Sequence, residues 1–201
     1  SDPVWRFARE KKKQAFMIDV NPTILFLLSP FLAALLSPPL VRLMGASAAW
    51  LLALVPLSVF IHLAGYVPQV AEGEAFTMGL SWAPSLGVNL SYYLDGLSLV
   101  FALLISGIGT LIILYAGGYL KGHKEHGRFI GFMFLFMGSM IGVVTADNLV
   151  ALFIYWELTS ITSFLLIGFD HDRMASRRAA IQALVVTGGG GLALLAGVVV
   201  L

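Results

Sequence analysis

One carboxylate stands in the middle of a long apolar run. Residues 147–169 read DNLVALFIYWELTSITSFLLIGF, and Glu157 has ten residues of the run before it and twelve after it. At ~1.5 Å of helical rise per residue, the run is long enough to cross an oil layer ~30 Å thick, with Glu157 near its centre. An unpaired charge at that depth costs at least a few kcal/mol, so such residues face a bundle interior and serve proton or ion paths. On a helix, Glu157 shares a face with Phe153, Ile154, Ser160 and Ile161. Thr159, Ser160, Thr162 and Ser163 surround it with hydroxyls that can bond the carboxylate, hold water, or bond back to their own helix.

Three chemistries compete for that arrangement. A proton-relay or ion-coupling carboxylate is the strongest, since a carboxyl group balanced between burial and a nearby cation exchanges protons readily. A structural carboxylate tying two helices together through an Arg or a hydroxyl is the second. The third, a general acid of a membrane enzyme, lacks a second intramembrane carboxylate, an HExxH pattern and any metal cluster. The chain has no cysteine, which removes disulfides, thiolate chemistry and iron–sulfur ligation. With no GxGxxG, P-loop or haem-type ligand pair, no cofactor is expected.

Glu157 needs a scaffold that holds it inside a membrane, and the composition supplies one. A soluble domain is about a quarter charged. This chain is 11% charged and 59% hydrophobic, with a mean hydropathy of +0.91. Its apolar segments predict an all-α polytopic membrane protein with about six transmembrane helices. The spans expected are Thr23–Val41, Ala48–Val67, Leu97–Tyr119, Phe129–Thr145, the Glu157 run, and one from Ala179 that is still apolar at Leu201. A span without a closing polar flank suggests part of a longer polypeptide.

The connections divide the chain into a basic tail (1–20), a helix pair (21–68), a loop (69–93) and a second helical block (94–201). The tail reads as either a mobile segment or a short interfacial helix. Within the loop, alternating stretches such as Ala75–Trp82 predict a small hairpin outside the membrane, and Tyr92 with Tyr93 suits an aromatic belt at the headgroups. Asp95 reads as a helix cap. His62, near the end of its span, reads as an interfacial residue before a proton carrier. Ser106 and Thr110 lie on a span rich in small residues that admit close helix contact or water. Gly188–Gly191, four glycines in a row, marks close backbone packing or a local break.

Alternation puts Arg42 and the loops 121–128 and 170–178 on one side, with seven Lys/Arg. The loop 69–93 and the turn 146–148 fall on the other side, with none. By the positive-inside rule the seven face the cytoplasm and the N-terminus lies outside, against the five Lys/Arg of the tail. A net charge of +1 spread in this way describes topology and gives no case for nucleic acid.

Two stretches carry a family resemblance. YYLDGLSLVFALLISGIGTLIILYAGGYL (92–120) resembles the third helix of the large antiporter-like subunits found in Mrp-type multisubunit sodium/proton antiporters and in respiratory complex I. TADNLVALFIYWELTSITSFLLIGF (145–169) resembles their fifth, and its WELTSITSFLLIGF phrase is most similar to the A-type large subunit of the Mrp branch. The resemblance implies a core of fourteen membrane helices, of which this chain is the first part, with two inverted five-helix repeats. It also implies an outside N-terminus in a bacterial cytoplasmic membrane, and partner subunits in a hetero-oligomeric complex. Glu157 matches the family's essential helix-five glutamate, whose lysine partner belongs to a seventh helix that these 201 residues do not reach. No lysine lies inside the six spans.

The activity implied is exchange of cytoplasmic sodium, with potassium as a second candidate, for external protons. Glu157 is the relay, and Ser160, Ser106 and Thr110 are weaker candidates for organising water. The sodium site is unassigned. The alternatives are a proton-pumping subunit of a redox-driven complex I type enzyme and a non-transporting structural subunit.

Overall fold

A computed structural model describes residues 22–83 and 88–200, in backbone only between 80 and 90. The basic tail and its proposed interfacial helix lie outside the described residues.

Helix α1 (Pro22–Met44) opens on a proline at its first position, where a missing N–H costs nothing. It continues as one helix through Pro30, Pro38 and Pro39. A 3-10 turn, Gly45–Ser47, ends it, with Gly45 at φ 61°, a left-handed backbone that suits glycine. Helix α2 (Ala48–Ala64) then runs back along α1. The Thr23 hydroxyl pairs with His62 Nε2 at 2.9 Å and with the Tyr66 hydroxyl at 2.7 Å. Pro22–Ala64 is therefore a two-helix hairpin, and with it counted as one, five segments of the described residues are long and apolar enough to cross a membrane, against the about six expected.

A five-residue helix α3 (Val67–Ala71) follows, on residues expected partly in the span and partly in the loop. Strands β1 (Phe76–Ala83) and β2 (Val88–Leu94) form an antiparallel hairpin with Phe76 opposite Leu94. Helix α4 (Gly96–Tyr119) starts from a capping box. Asp95 Oδ1 accepts from the Ser98 amide at 2.9 Å, and the Ser98 hydroxyl accepts from the Asp95 amide at 2.7 Å.

Helices α5 (His126–Thr145), α6 (Leu149–Ile167) and α7 (Met174–Val200) complete the bundle. Two of these boundaries correct the expectation. α5 begins three residues before Phe129. α7 begins five before Ala179, so Arg177 and Arg178 sit on its first turns and not in a loop. At ~1.5 Å per residue α7 exceeds the oil thickness, and its basic start extends toward water. α7 also passes through Gly188–Gly191 without a break.

In packing, α1 lies against α5, α2 against α4, and α6 between α5 and α7. Lipid-facing helices gain little from hydrophobic burial against one another, so close contact carries the packing. At Gly131 a Cβ would stand 3.1 Å from the Ala34 carbonyl and from Ser37 Oγ.

The two ends of the bundle differ in charge. Arg128 Nη2 donates to the Phe169 carbonyl at 3.4 Å and pairs with His171 Nδ1 at 3.3 Å, so the 121–128 and 170–173 connections share one end. At the opposite end the Asp147 amide donates to the Ser91 carbonyl at 3.3 Å, which joins the hairpin to the 146–148 turn. All the Lys and Arg of the described residues lie toward the first end, whereas Glu72, Glu74, Asp95 and Asp147 mark the second.

Candidate functional site

The helix that carries Glu157 is fixed at its start. Asn148 caps α6 by accepting the Ala151 amide at 2.8 Å, and its own amide group donates to Ser91 Oγ at 3.3 Å. A single bridge joins Tyr92 to Ala146. One and a half turns into α6, the Tyr155 hydroxyl pairs with the Tyr92 hydroxyl at 2.6 Å. The Tyr155 ring lies on Gly142 of α5, where a Cβ would overlap it. Tyr92 is 1% exposed, so it is no headgroup anchor as the sequence suggested. Burial, and then the neighbouring Tyr155, push its hydroxyl pKa well above the usual tyrosine value.

Two residues on along a helix is a rotation of ~200°, so Glu157 turns away from Tyr155 toward α7. There it meets Gly191. A Cβ on Gly191 would overlap Glu157 Oε1 and stand 2.9 Å from its Cδ. The helices are antiparallel at this seam. Eleven residues on from Glu157 is Gly168, which caps the end of α6, and eleven back along α7 is Ala180, where a Cβ on Gly168 would lie 3.2 Å from the Ala180 Cβ. Gly188, Gly189 and Gly190 have open space where a Cβ would stand, so the carboxylate demands only the last glycine of the four.

Glu157 Oε1 is buried without a hydrogen-bond partner, and no ion pair among the described residues includes it. The hydroxyls around it are engaged elsewhere. Thr159 donates to the Trp156 carbonyl at 2.7 Å, Ser160 to the same carbonyl at 3.3 Å, Thr162 to Leu158 at 2.7 Å and Ser163 to Ser160 at 2.9 Å. Each bonds back to its own helix, the third of the options open to them in the sequence.

Ser106 and Thr110 are not brought to this seam. Both are buried in α4, which packs on α2 and α5, and they donate to the Ala102 and Ser106 carbonyls at 2.7 and 2.8 Å. His62, stacked on Phe26 at 4.2 Å, sits where α1 starts and α2 ends, toward the β1–β2 hairpin. No cluster of three or more His, Asp or Glu among the described residues is placed to hold a metal ion. Sequence reasoning missed two contacts, Gly191 on Glu157 and Tyr92 on Tyr155. The glycine run was a signal for the first; for the second nothing local to either residue pointed to the other.

Comparison with known proteins adds to this geometry. Residues 81–130 match the family described as NADH-ubiquinone oxidoreductase (complex I), chain 5 N-terminus, and residues 146–201 match the one described as NADH:quinone oxidoreductase/Mrp antiporter, TM. The second segment holds both Glu157 and Gly191. The A1 subunit of the Na(+)/H(+) antiporter of Staphylococcus aureus is 43% identical over 173 residues, covering 86% of this chain and 22% of that protein.

Among solved structures, the Mrp complex of a Dietzia species superposes with a TM-score of 0.78 at 36% identity, covering 87% of this chain and 19% of the matched one. The archaeal membrane-bound sulfane sulfur reductase matches with a TM-score of 0.67 at 23% identity, over 85% of this chain and 26% of the other, a likeness of fold alone. The chain spans about a fifth of the length of the curated relatives it matches.

Proposed function

This chain matches the antiporter-like family shared by Mrp antiporters and complex I, and on that premise we propose that it is the N-terminal part of a sodium/proton antiporter subunit. In this reading cytoplasmic sodium leaves as external protons enter, and Glu157 is the intramembrane proton relay. The observation that carries the assignment is the buried, unpartnered Oε1 of Glu157 at mid-span, against a helix whose backbone is bare at that point. A carboxylate so placed is costly unless a mobile proton or a cation visits it.

The cation is a lysine outside these 201 residues, supplied by the same polypeptide or by another subunit, in a core of fourteen helices with inverted repeats. The 145–169 stretch and the family resemblance support that reading. The basic end of the bundle faces the cytoplasm, because seven Lys/Arg gather there and none at the hairpin end of the described residues. Ser160 stands one turn from Glu157 and is the nearest candidate for organising water; Ser106 and Thr110 would act only through a separate water path.

A sodium pulse to inside-out vesicles holding the full assembly, after a pH gradient is established, tests the function. Sodium-dependent collapse in wild type and not in Glu157→Gln, with no electron donor present, supports the antiporter and its relay. Wild-type exchange in Glu157→Gln would leave that carboxylate a structural role. The match of residues 81–130 to a complex I family favours one other reading, a proton-pumping subunit driven by a redox partner. Pumping that needs electron donor and ignores sodium would select it.

A further inference from the structure

At the basic end of the bundle a cleft of about 460 Å3 opens between the end of α1 and the start of α5. Arg42 lines one wall; His123, Lys124, His126 and Arg128 line the other, with Glu125 as the acid among them. Glu125 is held by Arg128 Nη1 at 3.1 Å, which leaves the cleft with an excess of positive charge.

The backbone adds to that charge. α5 begins here, Glu125 makes no side-chain bond to its first amides, and the first turn carries no acid. The His126 amide donates back to the His123 carbonyl at 3.1 Å, so the Gly127 and Arg128 amides are what the first turn of this twenty-residue helix offers an anion, together with the positive end of its dipole. An independent sign comes from His126, which lines the cleft. It is 3% exposed, and its Nε2 is buried without a partner. Arg128 Nε is likewise buried and unpartnered. Buried polar nitrogens of this kind are costly unless a ligand satisfies them.

The surroundings select the source of the anion. Beside Arg42, at the end of a membrane-spanning helix, Leu43 is 86% exposed and Met44 46% exposed. These apolar side chains suit acyl chains and offer a free phosphate nothing. Basic pockets between helix ends at a membrane surface bind anionic headgroups.

We propose that the cleft between α1 and α5 seats the phosphate of an anionic phospholipid, held by Arg42, Lys124, His126 and the Gly127 and Arg128 amides at the start of α5. The proposal is independent of any role for Glu157.

The test places the full assembly in phosphatidylcholine vesicles doped with phosphatidylglycerol carrying a photoactivatable headgroup, and maps the crosslinked peptides. The expected crosslinks fall in residues 38–46 and 121–128. The doubly substituted Arg42→Gln/Lys124→Gln assembly should lose yield about fivefold for each charge removed. The control pair Arg173→Gln/Arg177→Gln, exposed at the same end but outside the cleft, should keep the wild-type yield. Both pairs are solvent-exposed, so assembly is expected to survive and is checked by co-purification of the partner subunits. Equal loss in the control pair, crosslinks spread evenly around the bundle, or displacement of the lipid by inorganic phosphate would each overturn the proposal.

Discussion

Glu157 lays its carboxylate on the backbone of Gly191, the single position in a run of four glycines where a side chain would collide with it. The contact is made by the far end of a flexible side chain, so an added methyl would displace the carboxylate without forcing the helices apart. Gly191→Ala should therefore assemble normally, helped by ~1 kcal/mol of helix propensity, yet lose most exchange. Adding Glu157→Asp, one methylene shorter, should restore part of it, and Gly189→Ala should change nothing. Sodium-driven gradient collapse in vesicles reads all three; wild-type activity in Gly191→Ala would show that the position of the carboxylate is not critical.

The Tyr92–Tyr155 pair ties the hairpin to the Glu157 helix, and its hydroxyls satisfy each other in a buried place. Removing one leaves the other unpaired, at a cost of ~1–3 kcal/mol. Either single Phe variant should be less stable than wild type, and the double variant less damaged than the sum of the singles. Thermal unfolding of the solubilised assembly measures the cycle. Strict additivity would mean that the pair is not an interaction unit.

At the start of α4, Asp95 is held below the usual carboxylate range, first by the Ser98 amide and then by the Ser98 hydroxyl. A carboxyl group with a lowered folded pKa stabilises above its unfolded value, ~3.9, and that contribution is lost as the pH falls through the folded value. Hydrogen exchange at residues 96–100 should accelerate in acid for wild type relative to Asp95→Asn, which caps without titrating. Asp95→Ala should weaken the first turn by ~1 kcal/mol at neutral pH. Identical acid profiles for wild type and Asp95→Asn would remove the titrating cap.

Orientation is open to direct labelling. Glu74 and Asp172 are exposed at opposite ends of the bundle. An impermeant thiol reagent added to right-side-out vesicles should reach Glu74→Cys and not Asp172→Cys. The reverse pattern would place the basic end outside and invert the proposed direction of exchange.

Several features were legible from residue order because they are local. Long apolar runs of low charge define spans, since a bilayer rejects unpaired polar backbone. Asp95 three residues before Ser98 forms its cap within one turn, and the depth of Glu157 follows from counting residues along its own run. Alternation of spans placed the 69–93 loop and the 146–148 turn at one end, and the Ser91 contacts with Asp147 and Asn148 join them there.

What depended on tertiary structure is what lies across the helix from each residue. A hydroxyl near Glu157 in sequence has the same reach to the carboxylate as to its own carbonyls, and only the built helix shows that Ser160 takes the Trp156 carbonyl. Ser106 and Thr110 looked equivalent to residues beside the relay until α4 packed on α2 and α5 and not against α6. Tyr92 carries the same aromatic signal as Tyr93, yet strand pairing alternates their faces, burying one against Tyr155 and leaving the other 39% exposed. The four glycines are identical in sequence. The antiparallel register of α6 and α7 alone decides that the carboxylate meets the fourth, because contacts between distant residues depend on how helices align and not on what either helix prefers.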